Sequence, residues 1–306
     1  MRPPAALTVV SCLLLVGCGG SGDDTRTTVV GPGGGMTLEE LWRAPGDDVA
    51  IVPGTENHEV GDVRISFLVV DAENRLVTLP TARVWVSKAL DAQPFLETSA
   101  KLERIGVPGG DVARASHIYV ARFSLPSVGT YWVLAEPEGG ATSIQALGNV
   151  VVAKKDSAPD IGDPAIAANT PTIASTGGDL SKLTTRTPPD ESLLEHSIAG
   201  SLEAKTPFVV TFSTPKFCTS RTCGPVVDVV EEVASRFDGS ATRFIHVEVF
   251  EGNDPAKGYN RWMQEWGLTT EPWTFLVDGT GTIVERYEGA VSVNELEQAV
   301  HDKLHG

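Results

Sequence analysis

The sequence predicts two domains of different class, an all-β sandwich followed by an α/β domain at the C-terminus. Residues 39–154 contain short runs in which apolar and polar side chains alternate, which is the period of a β-strand. Residues 191–306 instead combine continuous apolar runs with apolar residues at helical spacing. Between them, residues 155–190 are rich in Pro, Ala, Thr and Asp and show no apolar period, so we expect a linker.

The composition is that of a globular protein and excludes one class of partner. Hydrophobic residues make up 41% of the 306 residues and charged residues 21%. The formal net charge is −16, and Lys and Arg form no cluster. A protein that binds nucleic acid needs a basic face to neutralise phosphates, so we exclude nucleic acid as a partner.

Residues 1–18 have the pattern of a targeting segment. Arg2 precedes an apolar run, Ala5 to Gly17, that is shorter than the roughly 20 residues of a membrane-spanning helix. The run ends in Leu-Val-Gly-Cys, which resembles the lipobox of bacterial lipoprotein signal peptides. The resemblance implies that Cys18 carries a lipid, which would anchor the protein in the cell membrane on the extracytoplasmic side. An ordinary secretory peptide is the alternative, and it also places the chain outside the cytoplasm.

Residues 19–38 are rich in Gly and polar residues, and we interpret them as a flexible tether. The alternating pattern then predicts strands around residues 63–69, 84–86, 119–123, 131–134 and 149–153. Turns of Gly, Pro and Asp separate these strands, which favours a sandwich. The run FSLPSVGTYWVLAE resembles a late hairpin of bacterial immunoglobulin-like extracytoplasmic domains. This region shows no catalytic constellation, so we expect a spacer or a partner-binding module.

The C-terminal region predicts the order helix, strand, helix, strand, helix, strand, strand, helix. The apolar run PFVVTF is typical of a strand buried on both faces. Ser292 and Glu295 have the spacing of a capping box at the start of the last helix. The predicted elements lie near residues 193–202, 207–212, 225–237, 244–250, 259–266, 273–277, 283–287 and 292–304.

One cysteine pair, Cys218 and Cys223, remains when Cys12 and Cys18 are assigned to the targeting segment. A disulfide is attacked by a thiolate, and a free cysteine has a pKa of about 8.5. A helix N-terminus offers unpaired N–H groups and a partial positive charge, which favour the thiolate. Gly224 and Pro225 suit a helix start, so Cys223 lies where its thiolate is stabilised.

This arrangement resembles the thioredoxin fold over about residues 192–306. VVTFSTPKFCTSRTCGPVVD matches the strand, loop and active-site helix, and EPWTF matches the segment with the family's cis-proline. VDGTG and YEG match the terminal hairpin. The resemblance implies a thiol–disulfide oxidoreductase acting on protein thiols or a redox partner, with no cofactor beyond the redox-active disulfide. It also implies a substrate cleft formed by Gly224, Pro225, Glu271 and Pro272.

The sequence departs from this family at three points. Four residues separate the cysteines, where thioredoxins have two, and Glu271 stands where a small or β-branched residue is usual. Thr211 occupies the position of the buried Asp that serves thioredoxins as proton acceptor. Two alignments remain open: anchoring on Gly224-Pro225 makes Cys223 the nucleophile, which we prefer, whereas anchoring on the preceding strand makes it Cys218.

Two other functions compete with the oxidoreductase. In the first, the cysteine pair is a structural staple, and the two domains form a non-catalytic binding module at the membrane. In the second, the pair handles copper together with His246, as in Sco-type copper proteins, which combine this fold with a Cys pair and a later His. The spacing of the cysteines and the position of His246 differ from that family.

Overall fold

The structure is a computed structural model that describes residues 35–305, apart from 48, 108–114, 141–142, 144, 156 and 219–224. The predicted signal segment, Cys18 and most of the predicted tether therefore lie outside the described residues, as do Cys223 and Gly224. No helix in the described part of the chain is long and apolar enough to cross a membrane.

In its described residues the N-terminal domain has a short helix and eight strands, and the strands form a single sheet. The elements are α1 (Leu38–Trp42), β1 (Val49–Pro53), β2 (His58–Glu59), β3 (Gly61–Asp71), β4 (Thr81–Ser87), β5 (Leu96–Arg104), β6 (His117–Leu125), β7 (Gly129–Glu138) and β8 (Ala146–Ala153). The strand order is β1-β3-β6-β5-β4-β7-β8-β2, and a further pairing of β1 with β8 closes the sheet into a barrel-like shape.

The prediction of an all-β domain is confirmed, whereas the prediction of an immunoglobulin-like sandwich is not. The strands form one sheet closed on itself, and β1, β2 and β5 were not predicted at all. Alternation of apolar and polar residues reports only that one face of a strand is buried. Because a sandwich and a barrel share that property, the pattern could not distinguish them.

Strands β3 and β6 are buried on both faces at residues 67–70 and 118–121. Phe67 and Tyr119 point into the barrel-like interior, where their rings stack with centroids 5.6 Å apart. The alternate residues Leu68 and Val120 belong to a second buried cluster that includes side chains of the C-terminal domain. The outer face of this part of the sheet is therefore an interface with the rest of the chain.

The C-terminal domain is a four-stranded sheet with helices on both faces. Its elements are α2 (Ile198–Glu203), β9 (Phe208–Phe212), α3 (Val226–Arg236), β10 (Arg243–Val247), α4 (Arg261–Glu265), β11 (Trp273–Val277), β12 (Ile283–Glu288) and α5 (Val293–Leu304). The strand order is β10-β9-β11-β12, with β10 parallel to β9 and the other neighbours antiparallel. The predicted order of elements is confirmed, although the strand predicted to reach Phe250 ends at Val247.

Alternate side chains along β9 pack against the helices on the two faces of the sheet. Val209 packs in the cluster that contains α3 and α5, whereas Val210 and Phe212 pack on the opposite face with α2 and α4. The capping box at the start of α5 is present, since the Ser292 side chain and Glu295 each accept the other's backbone N–H.

Residues 155–190, predicted as a linker, lie along the C-terminal domain wherever the structure describes them. The N–H of Gly162 donates to Ile283 O at 2.9 Å, and the N–H of Ile283 donates to Asp163 O at 3.0 Å. Ala158 and Ala168 are buried in the same cluster as Phe212. Arg186 further along donates to Asp228 of α3 at 2.9 Å and also contacts Glu231.

The two domains share a hydrophobic core and a close backbone contact. The shared cluster includes Leu68, Val70, Ile118 and Val120 from the sheet, and α3 and α5 supply most of the opposing side chains. Gly289, which follows β12, has φ +73, and a Cβ built on it would lie 1.8 Å from Gly54 O. Only a glycine permits this approach of the two backbones.

Candidate functional site

The candidate site lies in the loop that leads from β9 to α3. Ser213 and Thr214 follow the strand, and residues 215–217 form a turn before Cys218. The N–H of Cys218 donates to Thr214 O at 3.2 Å, which closes the turn. Cys218 is half-buried and disulfide-bonded. Its partner cysteine lies outside the described residues.

Pro225 and α3 fix the far side of this loop. Pro225 is buried and immediately precedes α3, and its carbonyl oxygen accepts the N–H of Val229 at 2.9 Å. The valines of α3, among them Val226, Val229 and Val230, are buried in the shared core, which holds the helix against the sheet. The loop that carries the cysteines therefore begins and ends on rigid elements.

Glu271 and Pro272 approach the same loop from the start of β11. The peptide bond between them is cis, and Pro272 is buried. The backbone N–H of Thr214 hydrogen-bonds to the Glu271 carboxyl, whose Oε2 is buried without a hydrogen-bond partner. Burial, together with the nearby charge of Glu248, raises the pKa of Glu271 to about 7.

His246 and Glu248 lie at the end of β10 beside these residues. His246 Nε2 is 3.0 Å from Ser213 O, and since a carbonyl oxygen only accepts, this nitrogen carries the hydrogen. Burial lowers the pKa of His246 although Glu248 opposes the shift, so the ring is neutral at neutral pH. Glu248 Oε1 accepts from the N–H and the hydroxyl of Thr185, and its Oε2 is buried without a partner.

We refer to Ser213, Thr214, His246, Glu248 and Glu271 together as the polar cluster. The hydroxyl oxygens of Ser213 and Thr214 are also buried without hydrogen-bond partners. The cluster therefore places hydroxyls, an imidazole and two carboxyls beneath the cysteine loop. Buried polar groups in this state are uncommon in folded proteins and mark a place where further groups or water can bind.

Thr211, at the position of the thioredoxin Asp, gives no titratable group to the site. Its hydroxyl donates to Trp273 O at 3.3 Å and accepts from the Thr274 hydroxyl at 3.2 Å. In the structure the predicted residues Glu271 and Cys218 both bind the backbone of Thr214. The Glu271 carboxyl accepts the Thr214 N–H, and the Thr214 carbonyl oxygen accepts the N–H of Cys218. The structure places the candidate metal ligand His246 against the same loop through Ser213.

Sequence reasoning missed Thr185, which ties the preceding segment to the site. Thr185 Oγ1 accepts the N–H of Lys216 at 3.2 Å while the same residue donates to Glu248. Thr185 lies in a segment that is rich in Pro, Ala, Thr and Asp and has no apolar period, so no sequence pattern identified it. Among the described residues, no group of three or more His, Cys, Asp or Glu side chains could hold a metal ion.

The comparisons with known proteins bear on the C-terminal domain. Residues 194–304, about a third of the chain, match the family model of a thioredoxin-like domain. No curated protein matches the chain.

Several solved structures have weak similarity to the chain, and three of them show its extent. One is an engineered protein, with 16% identity over 35% of this chain and 20% of that one and a TM-score of 0.23. Another is the endo-beta-1,4-mannanase from Thermotoga petrophila, with 14% identity, 37% and 21% coverage and a TM-score of 0.21. The third is the PKD domain of the human VPS10 domain-containing receptor SorCS2, with 17% identity, 47% and 96% coverage and a TM-score of 0.18.

The chain spans about a fifth of the length of the first two of these structures. Their TM-scores are too low to establish a shared fold. The family match and the strand order agree with each other, and the C-terminal domain of this chain is therefore thioredoxin-like.

Proposed function

We propose that the protein is a thiol–disulfide oxidoreductase that exchanges disulfides with protein cysteines through Cys218 and Cys223. The observation that carries the proposal is the disulfide-bonded, half-buried Cys218 in the loop between β9 and α3 of a thioredoxin-like domain. A thiol at this loop is accessible to a partner protein, whereas a cysteine buried in the core would be inert.

The proposed exchange has two steps. The Cys223 thiolate attacks a disulfide of the substrate protein, so that one substrate sulfur leaves as a thiolate and a mixed disulfide forms. Cys218 then loses its proton and attacks Cys223, which releases the second substrate thiolate and closes the Cys218–Cys223 disulfide. Two electrons pass from the cysteine pair to the substrate, and the reverse sequence oxidises a substrate dithiol.

The cis-proline segment supports a binding surface for the substrate next to this loop. Pro272 is buried, and the preceding residue, Glu271, adds a carboxyl that accepts the backbone N–H of Thr214. With Pro225, which precedes α3, these residues form the proposed substrate cleft; Gly224, its remaining predicted member, lies outside the described residues. The carboxyl favours substrates whose residues around the cysteine are neutral or basic, because like charges repel.

A redox titration tests this function directly. The full chain with Cys12→Ser and Cys18→Ser has only Cys218 and Cys223 as thiols, so alkylation and mass shift report their state in glutathione and dithiothreitol buffers. A potential between roughly −120 and −270 mV is expected for a working oxidoreductase. A potential below about −300 mV is expected for a structural disulfide, and it would overturn the proposal.

Trapping of substrates distinguishes the two cysteines. In Cys218→Ser the mixed disulfide on Cys223 has no resolving thiol, so a substrate protein should stay attached in non-reducing gels. The matched variant Cys223→Ser should trap little, since the proposed nucleophile is gone. Trapping by Cys223→Ser alone would instead assign the nucleophile to Cys218.

We further propose that this exchange takes place at the extracytoplasmic face of the cell membrane, with Cys18 as the lipid attachment site. The supporting observation is the Leu-Val-Gly-Cys motif after the apolar run. The full chain expressed in a bacterium should partition into detergent, and Cys18→Ser should abolish this. Equal partitioning of both proteins would contradict the anchor.

A further inference from the structure

A cleft of about 680 Å³ lies between the β domain and the C-terminal domain. The β domain lines it with parts of β2, β3 and β6, and the C-terminal domain lines it with the second half of β12. Residues 160–161 also line this space, which we call the interdomain cleft. Ligand sites commonly have volumes of roughly 300–1,000 Å³ and lie at domain interfaces, so the cleft has the size and the place of a binding site.

His58, on β2, lines the interdomain cleft with a ring nitrogen that has no partner. The residue is buried, and its ring hydrogen-bonds to the backbone of Thr55. Burial lowers the pKa of His58 to about 4, so the ring is neutral at neutral pH and one nitrogen carries a hydrogen. That hydrogen faces Thr55, because a carbonyl oxygen only accepts. Nε2 is therefore a buried acceptor without a partner among the described residues.

Arg64, on β3, lines the same cleft and has one donor without a partner. Its Nε and Nη2 bind the Glu295 carboxylate, and Nη2 also donates to Ala290 O at 2.8 Å. Nη1 is buried and has no hydrogen-bond partner in the described part of the chain. A buried donor that lacks a partner is costly, so a ligand that offers an oxygen to Nη1 removes that cost.

The three arginines of the interdomain cleft are all engaged with acids of the protein itself. Arg64 and Arg122 share the Glu295 carboxylate. Arg286 Nη2 lies 2.8 Å from Glu59 Oε1. These arginines therefore do not give the cleft an excess of positive charge.

Two carboxylates of the cleft have no such partner. Asp62 is exposed and Glu285 is half-buried, and both line the cleft. Neither forms an ion pair with Lys or Arg within the residues that the structure describes. Because complementary charge favours association, the cleft suits a positively charged ligand.

The edge of β12 indicates the shape of that ligand. A segment of the chain already lies along the first part of this strand, since Pro164 and Thr282 form an antiparallel bridge and the Gly162 N–H donates to Ile283 O at 2.9 Å. The chain turns at residues 161–162, and residues 285–288 of the same strand line the cleft. An extended segment fits beside a strand, and each of its peptide groups offers both an N–H and a carbonyl oxygen.

We propose that the interdomain cleft binds an extended peptide segment that carries Lys or Arg. A peptide N–H of the ligand donates to His58 Nε2, and a peptide carbonyl oxygen accepts from Arg64 Nη1. The ammonium or guanidinium group of the ligand pairs with Asp62 and Glu285. This inference goes beyond the proposed redox function and does not rest on it.

The cleft lies at the same end of the sheet as the cysteine loop. Trp273, which lines the cleft, pairs with Phe212 at the end of β9 and with Glu288 at the end of β12. Only two strand spacings of about 4.8 Å each separate β9 from β12. A protein whose basic segment occupies the cleft is therefore held close to the cysteine loop.

Calorimetric titration of the full chain carrying Cys12→Ser and Cys18→Ser tests the binding. The probe is the peptide acetyl-Val-Lys-Val-Lys-Val-amide, and the matched peptides have Ser or Glu in place of Lys. We expect the Lys peptide to bind at least about tenfold more tightly than the Ser peptide at low salt, and the Glu peptide to bind more weakly than either. Equal affinities for the three peptides would overturn the proposal.

Asp62→Asn and Glu285→Gln test the two carboxylates, and neither change removes a buried side chain. Each should weaken binding of the Lys peptide by about two- to fivefold, and the double variant by more, as expected for partly exposed ion pairs. Glu73→Gln, an exposed acid outside the cleft, should bind the peptide as the parent chain does. If the double variant also binds like the parent chain, the proposal is wrong.

Nitrogen NMR of the histidine rings locates the ligand in the unaltered cleft. The formal net charge of −16 attracts basic peptides over the whole surface, so a local readout is needed. The Nε2 resonance of His58 should shift as the Lys peptide binds, whereas His196, which lies outside the cleft, should be unaffected. An unchanged His58 resonance would overturn the proposal, and so would tighter binding of a neutral oligosaccharide such as maltohexaose. None of these measurements involves the cysteine pair, so their outcome is independent of its redox potential.

Discussion

Arg64 of the β domain and Glu295 of α5 form a two-pronged ion pair across the domain interface. Arg64 Nε lies 2.8 Å from Glu295 Oε1, and Nη2 lies 2.8 Å from Oε2. Both side chains are buried, and Glu295 also caps its own helix through the N–H of Ser292. Burial opposes the ionisation of Glu295, but the charge and hydrogen bonds of Arg64, together with Arg122 and the Ser292 N–H, outweigh it and lower the pKa to about 2. One carboxylate thus fixes both the start of α5 and the position of the β domain.

Arg64→Ala should destabilise the protein by roughly 1–3 kcal/mol at pH 7, because it removes the two-pronged partner of the buried Glu295 carboxylate and leaves it only Arg122, whose Nη2 lies 2.7 Å from Oε1. The deficit should shrink as the pH falls from 4.5 toward 2, because the stability that the ionised Glu295 contributes to the parent fold is complete above pH 4.5 and is lost over this range. Urea unfolding at several pH values measures both effects.

The control for this prediction is Arg83→Ala, which removes a half-exposed ion pair with Glu138. Exposed ion pairs contribute about 0–1 kcal/mol, so Arg83→Ala should change the free energy of unfolding very little. Equal losses in the two variants would contradict the importance of the Arg64–Glu295 pair.

Glu288→Gln should stabilise the protein at alkaline pH. Glu288 accepts the N–H of Glu56 at 2.7 Å, yet burial raises its pKa from 4.5 to about 7. A raised pKa means that the folded state holds the proton more tightly, so stability is greatest below pH 4.5 and is lost as the pH rises through 7. The glutamine removes this loss, which amounts to at most about 3 kcal/mol.

Thermal unfolding at pH 5 and pH 8 tests the sign of this effect. The Glu288→Gln variant should unfold at a higher temperature than the parent chain at pH 8 and at a similar temperature at pH 5. Glu73→Gln, an exposed acid of the β domain, serves as the surface control. A gain that does not depend on pH would show that burial of the charge is not its cause.

Gly289→Ala should separate the two domains or unfold the protein. A Cβ at this position would meet Gly54 O at 1.8 Å, and the residue has φ +73. Gly239→Ala is a matched control, since that glycine has φ +78 with nothing within 4 Å of its Cβ. The control should lose only the roughly 1–2 kcal/mol of a left-handed backbone.

The difference between the two glycine variants isolates the contact between the domains. Denaturant unfolding should show a loss in Gly289→Ala that exceeds that in Gly239→Ala by several kcal/mol, or a separate transition for each domain. Similar losses would mean that the chain relieves the clash by a small movement, and that the approach of the backbones is not essential.

Arg186→Ala should release residues 180–190 from α3. Arg186 contacts both Asp228 and Glu231, and its side chain is largely buried. Limited proteolysis should cut this segment faster in the variant, with a loss of roughly 1–3 kcal/mol in stability. Lys182→Ala, which removes an exposed pair with Asp179 in the same segment, should leave the cleavage rate unchanged.

The sequence was most informative where local patterns and long-range packing require the same residues. Val226 to Val233 form an apolar stripe that predicts α3, and the structure buries those valines in the core. The continuous apolar run of β9 predicts a strand covered on both faces, and its residues lie in two clusters on opposite sides. Glu271 and Pro272 were likewise identified from their motif.

Sequence patterns failed to predict strands whose outer face packs against another part of the chain. Leu68 interrupts the alternation around Phe67, because it packs against the C-terminal domain and not into the barrel-like interior. Strand β5, with buried Leu96, Thr98 and Ala100, escaped prediction because its alternation combines small and polar residues. Neither feature can be interpreted without knowing what covers each face.

By itself the sequence determined the class of both domains and the order of the elements of the thioredoxin-like domain. These depend on local periodicity and short motifs, which act over a few residues. Only the tertiary structure decided that the β sheet closes on itself, that Arg64 meets Glu295 across the interface, and that Thr214 links Glu271 to Cys218. Those relationships join residues far apart in the chain, and they exist because burial in a shared core brings the two domains together.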